Sequence, residues 1–147
     1  VVEESEGRLT LVTLGVITTP AKTPLPSRLQ EIYRSLDGLI EQHRPDCAAV
    51  EELFFSRNAR TAMSVGHARG VTLLALADAE LPIAEYTPMQ IKQAVTGYGN
   101  AGKQQVQEMV RMLLNLSDVP RPDDAADAAA VAICYIHRAK LDGLLTD

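Results

Sequence analysis

Two apolar runs too short for helices most constrain how this chain folds. Cys47-Ala48-Ala49-Val50 stops abruptly at Glu51-Glu52, and Leu81 to Tyr86 forms a second short run. Runs of this length, bounded by charge or turn residues, read as buried strands of a parallel sheet. Between them, Thr61 to about Glu80 is rich in small residues and apolar almost all round, which suits a helix. A strand, a helix and a parallel strand close only through a crossover, and crossovers are right-handed with the helix packed on the sheet. That pattern limits the chain to an α/β architecture.

The flanks extend the pattern. Val1-Val2, a polar Glu3 to Gly7 turn and Leu9 to Ile17 suggest a β-hairpin. Pro20, Pro24 and Pro26 mark a loop, and Ser27 with Gln30 three residues on resembles a capping box. Leu29, Ile32, Tyr33, Leu36, Leu39 and Ile40 then keep helical spacing to about Gln42, where Arg44-Pro45-Asp46 stops the helix. Thr87-Pro88 opens a helix that Gly97 ends. Asn100 is placed to cap the next, roughly Ala101 to Leu114, and an alanine-rich helix follows from about Asp123 to Lys140. The predicted order is β-hairpin, α, β, α, β, α, α, α, a sheet flanked by helices in a single domain.

Charge and composition remove some functions. No apolar run approaches the ~18 residues of a membrane helix, and there is no basic, apolar leader, so the expectation is a cytoplasmic protein. Cys47 and Cys134 sit in core-like surroundings without zinc-ligand spacing. A net charge of −5 speaks against a protein that coats nucleic acid. It leaves a metal-dependent nuclease open, because such an enzyme gathers carboxylates at one point while its cations cluster elsewhere.

Glu51 ends a buried strand on the side where open α/β sheets bind ligands. Asp124 and Asp127 stand three apart at the start of the last helix and share a face. Carboxylates converging on one spot need a cation, and hard oxygen ligands suit Mg²⁺. Taken singly, however, Asp123 and Asp124 read as helix caps, and Glu51-Glu52 as a solvated strand end. Asp127 fits capping less well. Gly97 to Lys103 matches G-x-x-x-x-G-K, but Gln104 stands where a phosphate loop needs Ser or Thr, and the preceding segment is helical in pattern. His43, His67 and His137 are scattered without metal spacing.

Several segments carry a family resemblance. Ala49-Val50-Glu51-Glu52-Leu53-Phe54-Phe55 resembles the second catalytic segment of RuvC-type Holliday-junction resolvases. Tyr86-Thr87-Pro88-Met89-Gln90-Ile91-Lys92-Gln93-Ala94-Val95, with Gly97-Tyr98-Gly99, Ala101-Gly102-Lys103-Gln104-Gln105-Val106 and Met109-Val110, is similar to that family's most characteristic stretch. Asp124-Ala125-Ala126-Asp127-Ala128 resembles its carboxyl-terminal catalytic motif. The similarity runs in order from about Val1 to Arg138.

The resemblance implies an RNase H-like three-layer α/β/α domain with a mixed, largely parallel sheet. It implies a structure-selective endonuclease that resolves Holliday junctions by paired nicks, with Mg²⁺ as cofactor and Mn²⁺ as a substitute. Glu51, Asp124 and Asp127 would be the catalytic, metal-binding carboxylates. Lys92 and Lys103 would contact the phosphate backbone, Phe54 would wedge against bases at the crossover, and Arg57 would meet DNA. Phe55 and Arg60 are neighbours with weaker claims. The family's first catalytic aspartate lies in a Gly-Ile-Asp-Pro-Gly motif that would precede Val1, so residues 1–147 are expected to be an N-terminally incomplete domain, inactive alone. Implied partners are four-way junction DNA, a second copy of the chain and a branch-migration helicase complex. The Thr61 to Glu80 helix is either a core helix or the homodimer interface, with Val65, Ala68, Thr72 and Leu76 as contacts. Two other readings remain open: a junction-binding module without catalysis, and another RNase H-like nuclease acting on RNA–DNA hybrids.

Overall fold

The computed structural model describes residues 1–52, 59–141 and 143, with the backbone alone at 59 and 60. Along the chain run β1 (Val2–Ser5), β2 (Arg8–Leu11), α1 (Leu25–His43), β3 (Ala48–Glu51), α2 (Ala59–Asp78), β4 (Ile83–Tyr86), α3 (Pro88–Thr96), α4 (Lys103–Leu113) and α5 (Asp123–Leu141). The order matches the one read from the sequence. The described residues form two compact units, one from Val1–Val16, Ala49–Glu52 and Ala84 onward, the other from Ile17–Ala48 and the stretch up to Ile83.

In the first unit β1 and β2 pair antiparallel, Val2 opposite Leu11 and Ser5 opposite Arg8. The hairpin turn is only Glu6-Gly7, at φ 52° and 79°. Two positive φ values in succession match the right-handed twist of the strands. So Glu3, Glu4 and Ser5, expected in the turn, belong to β1, and β2 ends at Leu11 rather than Ile17. The polar residues fit because the strand alternates, Val2 and Glu4 half-buried, Glu3 and Ser5 exposed.

The other two strands, β3 and β4, are hydrogen-bonded neighbours. Ala48 N donates to Pro82 O (2.9 Å) and Glu52 N to Tyr86 O (2.8 Å), an advance in the same direction that makes the pair parallel. Both ladder types of the expected mixed sheet are present, as two separate two-stranded sheets among the described residues.

Against these strands pack α3, α4 and α5 around Val110, Ile133 and Cys134, which are fully buried. Five alanines of α5, Ala125, Ala126, Ala129, Ala130 and Ala139, are also buried. Small side chains there let neighbouring helices approach closely. Thr87 and Gln90 form a capping box, Pro88 opens α3, and Gly97 closes it in the left-handed conformation at φ 79°. Here the sequence punctuation held. It failed at α4, whose N-cap is Gly102 without a side-chain hydrogen bond, not Asn100. Ala101 is buried and its N–H is taken by Tyr98 O (3.1 Å), so that turn completes before the helix begins.

In the second unit α1 and α2 pack together, and Tyr33 Oη donates to Asp78 Oδ2 at 2.6 Å. Helix α1 starts two residues before the expected Ser27. Pro24 is its N-cap, no side chain caps it, and the Ser27–Gln30 box does not form. Pro26 has the φ that a first turn needs, so the helix extends back through it. Of the four residues read as interface candidates on α2, Leu76 is buried at 7% exposure and Val65 is 37% exposed. Thr72 Oγ1 donates to Ala68 O within the helix. Among the described residues no helix is long and apolar enough to cross a membrane.

Candidate active site

Within the first unit, four elements bring charged side chains to one cleft of about 250 Å³. Strand β3 ends in Glu51, α3 supplies Pro88, Ile91 and Lys92, α4 supplies Lys103 and Val106, and α5 supplies Asp127 and Val131. Ile91, Val106 and Val131 are buried and form an apolar floor. Two carboxylates and two ammonium groups stand on that floor.

The electrostatics follow from this layout. Burial raises the Glu51 carboxyl above its ordinary value, the charge of Asp127 raises it further, and Lys92 opposes both. Burial also raises Asp127; Lys103 works against this, and Asp124 and Asp123 add to it. Both acids therefore resist ionisation for the two reasons a cation would remove: loss of water and a like-charged neighbour. The donor set, hard carboxylate oxygens beside an open cleft, fits a divalent cation.

Asp124 departs from the expected layout. It is exposed and does not line the cleft. Three residues on a helix place two side chains about 60° apart around the axis, which puts Asp124 on the flank while Asp127 faces inward. Its charge still reaches Asp127 and Lys103. Among the described residues no three His, Cys, Asp or Glu side chains are gathered as a ready metal site. Phe54, Phe55 and Arg57 lie outside the described residues, as does the side chain of Arg60.

Asp123 is a site neighbour that sequence reading treated only as a cap. Its Oδ2 pairs with Lys103 Nζ at 2.9 Å. Its Oδ1 accepts from Gln107 Nε2 at 3.0 Å and from Arg121 Nη1 at 3.3 Å. These bonds, Lys103 first and Gln107 second, hold its carboxyl below the ordinary value. The recoverable signal was the spacing of Lys103 and Gln107, four apart on one helix face.

Two alternatives drop out. Helix α3 precedes the glycines and Lys103 opens α4, so the segment is not the strand–loop–helix of a phosphate loop. A wider recess of about 700 Å³ is lined by Gln93, Ala94, His137, Arg138, Lys140 and Leu141. Three of its polar groups are engaged: His137 Nδ1 meets Ala94 O at 2.9 Å, Lys140 pairs with Glu4 at 2.8 Å, and Arg138 lies over the Tyr86 ring. The smaller cleft, with opposed charges on an apolar floor, is the better site for chemistry despite its size.

Residues 1–135 match the family model described as Crossover junction endodeoxyribonuclease RuvC. The protein of that name from Chloroflexus aurantiacus is 57% identical over 139 residues, covering 95% of this chain and 85% of that protein. Its counterpart from Syntrophomonas wolfei is 51% identical over 144 residues, covering 98% and 84%. Thermus thermophilus RuvC, 36% identical, superposes with a TM-score of 0.87 over 97% of this chain and 86% of the other. The T. thermophilus RuvC in complex with Holliday junction substrate gives 0.90 at 36% identity, over 96% and 86%.

Proposed function

Because the chain belongs to the RuvC family of crossover junction endodeoxyribonucleases, we propose that it resolves four-way DNA junctions by Mg²⁺-dependent hydrolysis of a phosphodiester at the Glu51–Asp127 cleft. The fold is the RNase H-like α/β fold of the RuvC structures. The observation that carries the site assignment is the pairing of two carboxyls, both raised by burial and by like charge, with Lys92 and Lys103 at the same cleft.

Glu51 and Asp127 would hold the cation, with Asp124 adding charge from the flank. When bound there, Mg²⁺, or Mn²⁺ in its place, would supply the charge that polarises a phosphate and lowers the pKa of a water. The carboxylates orient that water and accept its proton. Lys92 and Lys103 face the non-bridging phosphate oxygens and offset their developing charge. Hydrolysis in line leaves a 5′-phosphate and a 3′-hydroxyl. Phe54 would stack on an unpaired base, a contact of ~1–3 kcal/mol, and Arg57 would meet the backbone nearby.

Two matched nicks need two sites, so the working form is a homodimer. The exposed Met63, Val65 and Leu74 on α2 support a subunit contact there. A branch-migration helicase complex is the partner that would supply the junction, in the cytoplasm. Nicking of a synthetic four-way junction with Mg²⁺ by full-length protein tests the assignment, with linear duplex as control. Glu51→Gln and Asp127→Asn should each abolish cutting, and Asp124→Asn should lower it; wild-type cutting by Glu51→Gln would remove the site.

A further inference from the structure

The structure assigns Asp123 and Gln107 as positioning residues that aim the Lys103 ammonium into the cleft. The inference rests on the reading above, in which Lys103 meets the scissile phosphate. Lys103 is the first residue of α4 and its side chain is half exposed, so its flexible four-carbon stem has room to wander. What restrains it is the division of labour on Asp123. Oδ2 takes Lys103 Nζ at 2.9 Å, while Oδ1 takes Gln107 Nε2 at 3.0 Å and Arg121 Nη1 at 3.3 Å. A carboxylate with both oxygens engaged on different sides cannot rotate without breaking one set.

Gln107 makes that set expensive to break. Among the described residues it is the buried polar side chain, 7% exposed, one turn beyond Lys103 on the same face of α4. A buried amide that loses its acceptor is left unsatisfied, which is more costly than a broken surface bond. Asp123 is therefore locked from α4, and α5, which carries Asp124 and Asp127, is locked with it. Lys103 has three N–H donors and gives one to Asp123, leaving two for an incoming phosphate.

The anchor has a second effect. Asp127 and Asp124 both act on the Lys103 charge. Without Asp123, those carboxylates are the anions left acting on Lys103, and it would fall onto them. It would then neutralise groups needed elsewhere and leave the phosphate without its cationic neighbour. Asp123 touches no reacting atom in this scheme; it acts through Lys103.

Steady-state cleavage of a four-way junction by the full-length protein tests the inference. Asp123→Ala and Gln107→Met should each lower kcat about tenfold, the scale of one charge-assisted hydrogen bond, with KM within about twofold. Asp123→Asn keeps one acceptor oxygen for Lys103, and its amide N–H can donate to Oε1 of a flipped Gln107, so it should recover part of the rate. In a Lys103→Met background, adding Asp123→Ala should cost nothing further. Additive losses in that double variant, or losses that follow the melting temperature without rescue by Asn, would overturn the assignment in favour of a purely structural hinge. If Lys103→Met cuts at the wild-type rate while Glu51→Gln does not, the positioning role falls and the nuclease reading stands. If Glu51→Gln also cuts normally, both fall.

Discussion

Glu51 at the end of β3 and Asp127 one turn into α5 face the same cleft, and the charge of Asp127 raises the Glu51 carboxyl. A folded-state value above the unfolded one means stability that is fully present below about 4.5 and lost as pH rises from there through the raised folded value. At neutral pH the pair is a strain on the metal-free protein. Glu51→Gln or Asp127→Asn should therefore raise the melting temperature in EDTA by roughly 1–3 °C while abolishing cleavage. Differential scanning fluorimetry checks the first effect, and an unchanged or lower melting temperature would argue against repulsion at the cleft.

The Glu4–Lys140 contact has the opposite sign. Glu4 lies below its ordinary value through its bond to Lys140 and a second from Gly7 N. A depressed carboxyl contributes stability above its unfolded value of about 4.5, lost as pH falls through the lower folded value. Urea unfolding between pH 5 and pH 3 should lose part of its pH dependence in Glu4→Gln.

Core packing on α5 should respond in both directions. Ile133 is fully buried, so Ile133→Ala should cost about 2–5 kcal/mol and Ile133→Val about 0.5–1.5 kcal/mol. Ala130 is nearly as buried, and enlarging it to Leu should cost about 1–3 kcal/mol through overpacking. Equilibrium denaturation resolves both.

Two glycines near the site separate backbone strain from crowding. Gly97 sits at φ 79° with open space around an added Cβ, so Gly97→Ala should cost about 1–2 kcal/mol from conformation alone. At Gly99 an added Cβ would meet Met89 Cγ at 2.9 Å without positive φ. Met89 is exposed and flexible, so it can move, and Gly99→Ala should cost less than Gly97→Ala. The reverse ranking in urea titrations would contradict this account.

The element order was legible because its signals are local: short apolar runs, helical spacing, and the Thr87-Pro88 and Gly97 punctuation. Errors fell where a local motif was outcompeted. The Ser27–Gln30 box lost to a helix that could begin at Leu25, and the Glu3 to Gly7 turn shrank because two residues suffice to reverse a hairpin. At the site, Glu51, Asp127, Lys92 and Lys103 were named from the resemblance and the cleft gathers all four. Asp123 was missed because its partners Lys103 and Gln107 lie on another helix, and only tertiary packing brings them to it. Asp124 does not line the cleft, and spacing could not tell this, because it shows that two side chains are neighbours, not which of them faces inward.

The alanine face of α5 also acts as a ruler. The helix that carries Asp127 is seated by side chains with no freedom to adjust, so its depth against α3 and α4 is fixed by backbone contact. A slip of one residue along that face would displace the acid by about 1.5 Å, enough to spoil alignment with a phosphate. Precision at the reacting end is thus set many residues away, by the absence of bulk.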